Sequence, residues 1–292
     1  MPWNVWPNLD PMIQKLLFSA AIAATLSAVG QALPQPSPSV HTEQTVGLTD
    51  ITLDYSRPSV NGRTIFGDLV PYGSHWRVGA NQNTKVTFSA PVTIAGQTVE
   101  AGTYSLSMVP NKDMWTVILN TKTDMWGVDG YSQEQDVLRT EVKPLGTSMT
   151  ETMRLNLENI RVSQADLVMD WAGMSVALPI ELNTMELAEA NITAAIEESP
   201  EDWRVYRSAA NFYNQNDIHL ATALTYMEKA LSLKDDNWYN YYLYAQILAK
   251  NDRIKEAKKA GMMAIEMGRA DAAKNNAPFN YNDTIKRFIS EL

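Results

Sequence analysis

Between about residue 45 and residue 182, the chain contains short runs in which apolar side chains recur at every second position. Ile51, Leu53 and Tyr55 form the first such run, with polar residues between them. Similar runs follow at 86–88, 92–94, 104–108, 115–119, 153–157, 167–171 and 174–178, and turn residues such as Gly, Asn and Asp separate them. A period of two broken by tight turns is typical of antiparallel strands with one buried face. The pattern therefore predicts a mainly β N-terminal domain, an antiparallel β-sandwich of about nine strands over residues 44–184.

Beyond residue 185 the apolar pattern takes the period of an α-helix, and it repeats. Positions in one helix pair recur about 34 or 35 residues later. The matched pairs are Trp203 and Trp238, Tyr206 and Tyr241, Ala210 and Ala245, Ala223 and Ala257, and Ala230 and Ala264. This repeat length, with an aromatic residue opening the first helix and alanines where helices cross, is the tetratricopeptide pattern. Residues 185–292 are therefore predicted to form an all-α, tetratricopeptide-like region, and further helices at 187–198 and near 284–291 are expected to close the short stack.

The first 32 residues have the pattern of an export signal. Lys15 precedes an apolar, alanine-rich segment at 16–29, and a small-any-small motif of the kind that signal peptidase cleaves ends at Ala32. Since residues 1–11 lack a basic residue, we expect either that translation starts at Met12 or that these residues are an upstream extension of the signal. The apolar segment is short for a membrane span, which favours a cleaved signal peptide over the alternative of an uncleaved anchor.

Composition and charge fit an exported, soluble protein. The chain has no cysteine, so neither disulfides nor a lipid on an N-terminal cysteine is expected, and no stable membrane anchor remains after cleavage. The formal charge of −9 argues against nucleic-acid binding, because that function needs a basic face. The proline-rich residues 33–43 predict an extended tether at the mature N-terminus. The expected location is the periplasm or the medium outside the cell.

The segment 55–84 concentrates arginine and aromatic residues, which are frequent at recognition surfaces. An indole could stack on a sugar or a peptide there while guanidinium and amide groups donate hydrogen bonds. The predicted ligand-binding residues are Arg57, Arg63, His75, Trp76, Arg77 and Asn81. An internal explanation competes, in which the arginines pair with acids such as Asp54 and Asp68 and hold long loops against the sandwich. Burial and pairing of the arginines decide between a binding site and a structural frame.

Signatures of catalysis and of metal binding are weak. The chain has no cysteine nucleophile and no Gly-x-Ser-x-Gly motif, and a set of Ser56, His75 and Asp68 rests on residue types alone. The three histidines, His41, His75 and His219, are far apart in the sequence and show no spacing typical of zinc ligands, so neither a metal nor a cofactor is predicted. The acidic loop 124–136 is the candidate for a carbohydrate hydrolase or isomerase, although a solvated surface loop is the simpler interpretation. Its carboxylates are Asp124, Asp129, Glu134 and Asp136.

Several blocks of sequence are distinctive enough to carry a family resemblance. They are YSRP at 55–58, GRTIFG at 62–67, LVPYG at 69–73 and WRVGAN at 76–81, followed by AGTYSLSMVP, WTVILN, WGVDGY and DVLRTEV. On these blocks, residues 44–182 resemble the bacterial family called domain of unknown function 2911, which occurs largely in exported proteins of Bacteroidetes-type bacteria and often with a tetratricopeptide-like tail. The resemblance implies export and a β-rich fold. It supplies no activity, substrate or catalytic residue.

The sequence favours a non-catalytic binding or scaffold module for a glycan, a peptide or an envelope protein. In that hypothesis the helical region engages a protein or peptide partner, as repeat stacks do on their concave face. Two alternatives stay open: a carbohydrate-active enzyme that uses the loop 124–136, and a purely structural component of the envelope.

Overall fold

The computed structural model describes residues 33–292, and the predicted signal peptide, its start at Met12 and its cleavage site at Ala32 lie outside these residues. Within this range the chain forms twelve β-strands followed by six α-helices. This order confirms the predicted fold class, a mainly β N-terminal domain followed by an all-α region.

The described strands form two antiparallel sheets of six strands each. In the first sheet the order is β1-β2-β3-β6-β7-β8, with β1 at Ser39–Val46, β2 at Thr49–Ser56, β3 at Thr84–Phe88, β6 at Gly102–Val109, β7 at Trp115–Asn120 and β8 at Asp136–Val142. In the second sheet the order is β10-β11-β12-β4-β5, with β10 at Arg154–Arg161, β11 at Gln164–Trp171, β12 at Met174–Leu182, β4 at Val92–Ile94 and β5 at Gln97–Val99. The short β9 at Leu145–Gly146 pairs with β12.

The core of the β domain comes from one face of each sheet. In β2, Ile51, Leu53 and Tyr55 are buried and the residues between them are not. Trp115 from the first sheet and Trp171 from the second are each 1% exposed. Burial of one large apolar side chain contributes about 1.5–3 kcal/mol, so a core of this kind stabilises the domain without disulfides.

Several strands at the sheet edges lack the alternation of buried and exposed side chains. β1 begins at Ser39, inside the predicted tether of residues 33–43, and most of its side chains are exposed. An edge strand of this kind has little apolar surface to bury, so its sequence carries no period-two signal. β5, β8 and β9 also have few buried residues, which explains why the structure has twelve strands where the pattern indicates about nine.

The six helices pack largely as neighbours in sequence. They are α1 at Thr184–Glu198, α2 at Trp203–Gln215, α3 at Leu220–Leu233, α4 at Trp238–Lys250, α5 at Ile254–Lys274 and α6 at Asn282–Glu291. The repeat-matched Ala223 and Ala257 are both fully buried, Ala223 in the cluster between α2 and α3, and Ala257 in the cluster between α4 and α5. Among residues 33–292, no helix combines the length and apolarity that a membrane crossing requires.

The helices join the β domain through a tight contact at the start of α1. Oγ1 of Thr184 donates a hydrogen bond to the carbonyl oxygen of Val162 at 2.7 Å. Gly47, in the turn between β1 and β2, has a φ of +60°, and a Cβ there would lie 2.3 Å from the same hydroxyl oxygen. Both its backbone conformation and the close contact therefore require glycine at this position.

Candidate functional site

The segment 76–84 leaves the first sheet and returns to it, forming a bulge at one end of the sandwich. Trp76 and Met108 exchange two backbone hydrogen bonds of 2.8 Å each, and regular pairing resumes where β3 begins at Thr84. Within the bulge, Val78 adopts a φ of +53°, and Oγ1 of Thr84 donates to the carbonyl oxygen of Val78 at 2.6 Å. This bulge comprises residues 77–83, and the residues on both sides of it pair with β6.

Aromatic rings fill the space beside this bulge. The rings of Trp76 and Trp171 stack, with centroids 5.7 Å apart and planes 20° apart. The ring of Phe66 meets both of them edge-on, at 5.8 Å and 6.0 Å, and meets Trp115 at 4.6 Å. Edge-to-face and offset-stacked pairs are the favoured aromatic geometries. Trp76 is therefore a core residue, only 8% exposed, and not a free stacking platform.

A cavity of about 370 Å³ opens at this end of the sandwich, and we call it the end pocket. It is lined by Ser37, Pro58, Arg63, Leu69, Val70, Pro71, Ser74, His75, Trp76, Arg77, Gly79, Ala80 and Trp171. None of these lining residues is acidic, although the chain as a whole has a formal charge of −9. The end pocket is therefore a basic site on an acidic protein.

Two of the three arginines of the segment bind backbone carbonyls, and none of the three pairs with an acid among the described residues. Nε of Arg57 donates to the carbonyl oxygen of Met153 at 2.7 Å. Arg63 donates from Nε to Val60 at 3.0 Å and from Nη2 to Ser59 at 2.5 Å. Arginine pairing with Asp54 and Asp68 was one of two explanations for the segment, and it is wrong. Asp54 instead contacts His41 at 2.7 Å, and none of the ion pairs among residues 33–292 includes Asp68 or any of the three arginines.

Arg77 is the least satisfied of these arginines. Its Nε is buried and has no hydrogen-bond partner within the described part of the chain. Its Nη1 lies against Gly127 of the loop 124–136, where a Cβ would come within 2.7 Å of that nitrogen. A buried donor without an acceptor costs about 1–3 kcal/mol. The fold thus tolerates one unsatisfied N–H of a guanidinium group at the wall of the end pocket.

The structure divides the six predicted ligand-binding residues into two groups. Arg63, His75, Trp76 and Arg77 line the end pocket. Arg57 and Asn81 do not line it, and both brace the surrounding backbone. Nδ2 of Asn81 donates to the carbonyl oxygen of Ser37 and to Oγ of Ser56, each at 3.3 Å. The segment 55–84 is therefore part pocket and part frame.

His75 belongs to a polar network beside the pocket. Its Nε2 lies 2.6 Å from Oγ of Ser107, and its ring meets the ring of Tyr131 edge-on at 4.2 Å. Burial lowers the pKa of His75, the charge of Asp136 opposes that shift, and the charge of Arg139 adds to it. The lowered pKa favours the neutral ring at pH 7.

This network does not form a catalytic triad. His75 is bonded to Ser107 and not to Ser56, and Ser107 is only 4% exposed, so a substrate carbonyl has no access to its hydroxyl. No hydrogen bond within the described residues joins His75 to Asp68 or to another carboxylate. A nucleophilic serine needs both access and an oriented base.

The acidic loop does not gather its carboxylates into a cleft. Asp136 accepts hydrogen bonds from Asn120 at 2.8 Å and from Tyr131 at 2.8 Å, and it pairs with Arg139 at 3.0 Å. The remaining loop acids, Asp124, Asp129 and Glu134, are exposed, and none of the four lines the end pocket. No group of three or more His, Asp or Glu side chains within residues 33–292 is arranged to hold a metal ion.

Two residues of the end pocket, Trp171 and Ser37, could not be predicted from the sequence. Trp171 lies nearly a hundred positions beyond Trp76 and joins it only because two sheets pack together. Its place next to the Ala172-Gly173 turn, at the end of β11, was the one available signal. Ser37 enters the lining from a stretch whose composition indicated a free tether.

Comparisons with known proteins support the resemblance seen in the motifs. Residues 37–180 match the model of a family described as "Protein of unknown function (DUF2911)". The match begins just before β1 and ends within β12, so it covers the β domain. A search of curated proteins and a search of solved structures each found no match.

Proposed function

We propose that this protein is a non-catalytic binding protein whose end pocket holds an anionic group of a small ligand, or of a glycan or peptide. One observation carries the proposal. Arg63, His75 and Arg77 line a single cavity that has no acidic lining residue, and neither arginine is in an ion pair among the described residues.

The chemistry of the lining suits a carboxylate or phosphate. A guanidinium group has five N–H donors, and Arg63 uses two of its nitrogens on backbone carbonyls. The remaining donors of Arg63 and the Nη donors of Arg77 can form charge-assisted hydrogen bonds with such a group, whereas the Nε of Arg77 is buried. The apolar walls formed by Val70, Trp76 and Trp171 strengthen such bonds because they exclude water. A volume of about 370 Å³ lies at the lower end of the range for small-molecule sites and suits one acidic sugar or one terminal residue of a peptide.

Catalysis has less support than binding. The serine bonded to His75 is buried, and the loop carboxylates lie outside the pocket. The lining does contain arginine and tryptophan side chains, which are the residues most frequent at recognition surfaces.

The N-terminal sequence supports a role outside the cytoplasm. The apolar segment 16–29 and the motif that ends at Ala32 favour cleavage and release into the periplasm or the medium. N-terminal sequencing of the protein recovered from cell fractions tests this part of the proposal. We expect a mature chain that starts at Leu33, and an intact N-terminus in the membrane fraction would contradict it.

The helical region is a candidate surface for a protein or peptide partner. A cavity of about 600 Å³ lies against α2, α4 and α6 and is lined by Asn211, Asn214, Gln215, Tyr239, Gln246, Ala249, Lys250 and Phe288. Amide side chains can pair with the backbone of an extended peptide, since they donate and accept hydrogen bonds. Capture of envelope peptides that is lost in a Gln246→Arg variant would support this role, and capture that is unchanged in that variant would contradict it.

A thermal-shift screen tests the anion-binding proposal. The mature protein is heated with glucuronate, galacturonate, citrate, inorganic phosphate or neutral glucose. An anion at 100 times its dissociation constant stabilises the native state by about 2.7 kcal/mol, which is measurable as a rise in Tm. We expect stabilisation by at least one anion and none by glucose. No shift with any of the four anions at 10 mM or below would overturn the proposal.

A further inference from the structure

A second cavity lies on the outer face of the first sheet, next to the end pocket. This side groove has a volume of about 420 Å³ and runs along the surface of β1, β2 and the start of β3. Its lining includes His41, Asp54, Ser56, Gln82, Asn83 and Lys85. Asn81 separates the two cavities, because its amide bonds Ser37 of the end pocket and Ser56 of the side groove.

The side groove differs from the end pocket in charge. Asp54 contacts His41 at 2.7 Å and lies directly opposite Lys85 in the pairing of β2 with β3. Asp54 is the one acidic residue that lines the side groove, and a lysine and a histidine lie next to it. The other polar groups of the lining are neutral. Such a surface offers donors and acceptors in similar numbers, which suits a ligand rich in hydroxyl groups better than a charged one.

Trp126 does not line this groove itself, but its backbone pairs with that of Gln82, which does. It is paired with Gln82 in a local antiparallel bridge, in which Asn83 donates to the carbonyl of Met125, and Gly127 donates to that of Asn81, each at 3.1 Å. Residues paired in this way project their side chains to the same side, with Cβ atoms about 4.5–5.5 Å apart. The side chains of Trp126 and Gln82 therefore start as neighbours on the same side of the bridge.

Trp126 is also unusually exposed. Its exposure is 63%, and it is the one tryptophan of residues 33–292 among the exposed large hydrophobic side chains. Trp76, Trp115 and Trp171 are all buried. Exposing a large aromatic ring forgoes the hydrophobic gain of burying it. A single exposed apolar side chain is common on protein surfaces, and Trp126 is distinguished by its pairing with a residue of the polar groove.

The backbone on both sides of Trp126 is fixed, which keeps the indole outside. Met125 is 4% exposed, and its N–H donates to Oδ1 of Asn83 at 3.1 Å. Asp129 donates to the carbonyl of Trp126 at 3.2 Å, closing a turn, and Gly127 has the positive φ of +69° that this turn requires. The loop thus holds the backbone that carries the indole in a defined conformation, so binding to this ring does not require the loop to become ordered.

We propose that Trp126 and the side groove form a subsite for a neutral saccharide chain, separate from the anion site in the end pocket. The face of a pyranose ring carries C–H groups whose weak positive charge matches the negative face of an indole. The hydroxyl groups around that ring are both donors and acceptors, as are the amides and hydroxyls of the groove. One sugar ring stacks on Trp126, and its neighbours in the chain extend past Gln82 toward Asp54 and Lys85.

Affinity electrophoresis tests this subsite. The mature protein is run in native gels that contain a soluble β-glucan, an α-glucan or a galactomannan, each uncharged, and in gels without polysaccharide. We expect retardation by at least one of the three. Trp126→Ala should weaken the interaction at least tenfold, whereas Trp126→Phe should retain part of it because the aromatic face remains.

Matched variants separate this proposal from its alternatives. Tyr281→Ala removes an aromatic ring that is 46% exposed on the helical side, and we expect its retardation to equal that of the wild type. Arg63→Ala should weaken anion binding at least tenfold and leave the retardation unchanged, so the two sites can fail independently. Absence of retardation in all three gels, or equal retardation of wild type and Trp126→Ala, would overturn the proposal.

Discussion

The indole rings of Trp76 and Trp171 are stacked 5.7 Å apart across the two sheets of the β domain. This contact joins the arginine-rich segment to the opposite sheet and places Arg77, the next residue, at the wall of the end pocket. Trp76 thus belongs to the core through its ring and also lines the end pocket. For that reason the segment cannot be assigned wholly to a frame or wholly to a site.

Replacing Trp171 with alanine should destabilise the protein strongly. The ring is 1% exposed and contacts both Trp76 and Phe66, so its loss removes buried area and leaves a cavity in the core. We expect a loss of about 3–5 kcal/mol in the free energy of unfolding, measured by urea denaturation. Trp126→Ala, which removes an exposed indole, should change that free energy by less than about 0.5 kcal/mol. Equal losses in the two variants would contradict the assigned packing.

Arg57 should matter for stability and not for ligand binding. Arg57→Ala leaves the carbonyl oxygen of Met153 without the donor that binds it at 2.7 Å, which should cost about 1–3 kcal/mol. Since Arg57 does not line the end pocket, anion affinity should remain within about twofold of the wild type. Arg161→Ala, an exposed arginine at the end of β10, serves as the control for loss of charge. A loss of affinity as large as that in Arg63→Ala would show that Arg57 belongs to the site.

The pKa of His75 should be lower than the pKa of His41. Burial lowers the pKa of His75, and the hydrogen bond to Asp54 raises that of His41, from the same usual value of 6.5. NMR titration of the imidazole resonances should therefore give a midpoint below 6.5 for His75 and above 6.5 for His41. A midpoint for His75 at or above that of His41 would contradict the structure of the network.

The lowered pKa of His75 also predicts a change of stability with pH. At pH values between the folded and unfolded pKa values, the unfolded chain binds more protons at this site than the folded chain. The stability that His75 contributes is present above pH 6.5 and is lost as the pH falls through the lower, folded pKa. A His75→Gln variant should lose less stability than the wild type between pH 7 and pH 5, as measured by urea denaturation at each pH. An identical pH dependence in both proteins would contradict this assignment.

Two glycines make a matched pair for testing how the acidic loop supports Arg77. Gly127 and Gly62 have φ values of +69° and +71°, but a Cβ would meet Nη1 of Arg77 only at Gly127 and would meet nothing within 4 Å at Gly62. Alanine at either position should cost about 1 kcal/mol of stability from backbone strain. Only Gly127→Ala should also weaken anion binding, because the new methyl group displaces the guanidinium. Weaker binding in both variants, or in neither, would contradict the contact.

The hydrophobic pattern of the sequence was sufficient to predict the strands that bury one face and the start of the helical region. The alternation of Ile51, Leu53 and Tyr55 marked a strand because one face of β2 is buried, and the change of period near residue 185 marked the helices. β1 gave no such signal, since an edge strand is held by backbone pairing and its side chains are mostly exposed.

The candidate site was only partly accessible from sequence. Arg63, His75 and Arg77 are concentrated in one segment, so composition alone drew attention to them. Their partners were not predictable: Arg57 and Arg63 are bound by backbone carbonyls, which carry no residue identity, and Trp171 arrives from the other sheet. Trp126 and Gln82 are neighbours only through a short bridge between two loops, and no periodic pattern encodes that pairing.

Calorimetric titration of the anion that gives the largest thermal shift tests the central claim most directly. The mature wild type is compared with Arg63→Ala, Arg77→Ala and Arg287→Ala, the last being an exposed arginine on α6 that matches the loss of charge. Loss of one charge-assisted contact of about 1.5–3 kcal/mol corresponds to at least a tenfold weaker Kd. We therefore expect Arg63→Ala and Arg77→Ala to bind the anion at least tenfold more weakly than the wild type, and Arg287→Ala to bind it with an affinity within twofold of the wild type. Equal affinities in all four proteins would show that the end pocket does not bind the anion.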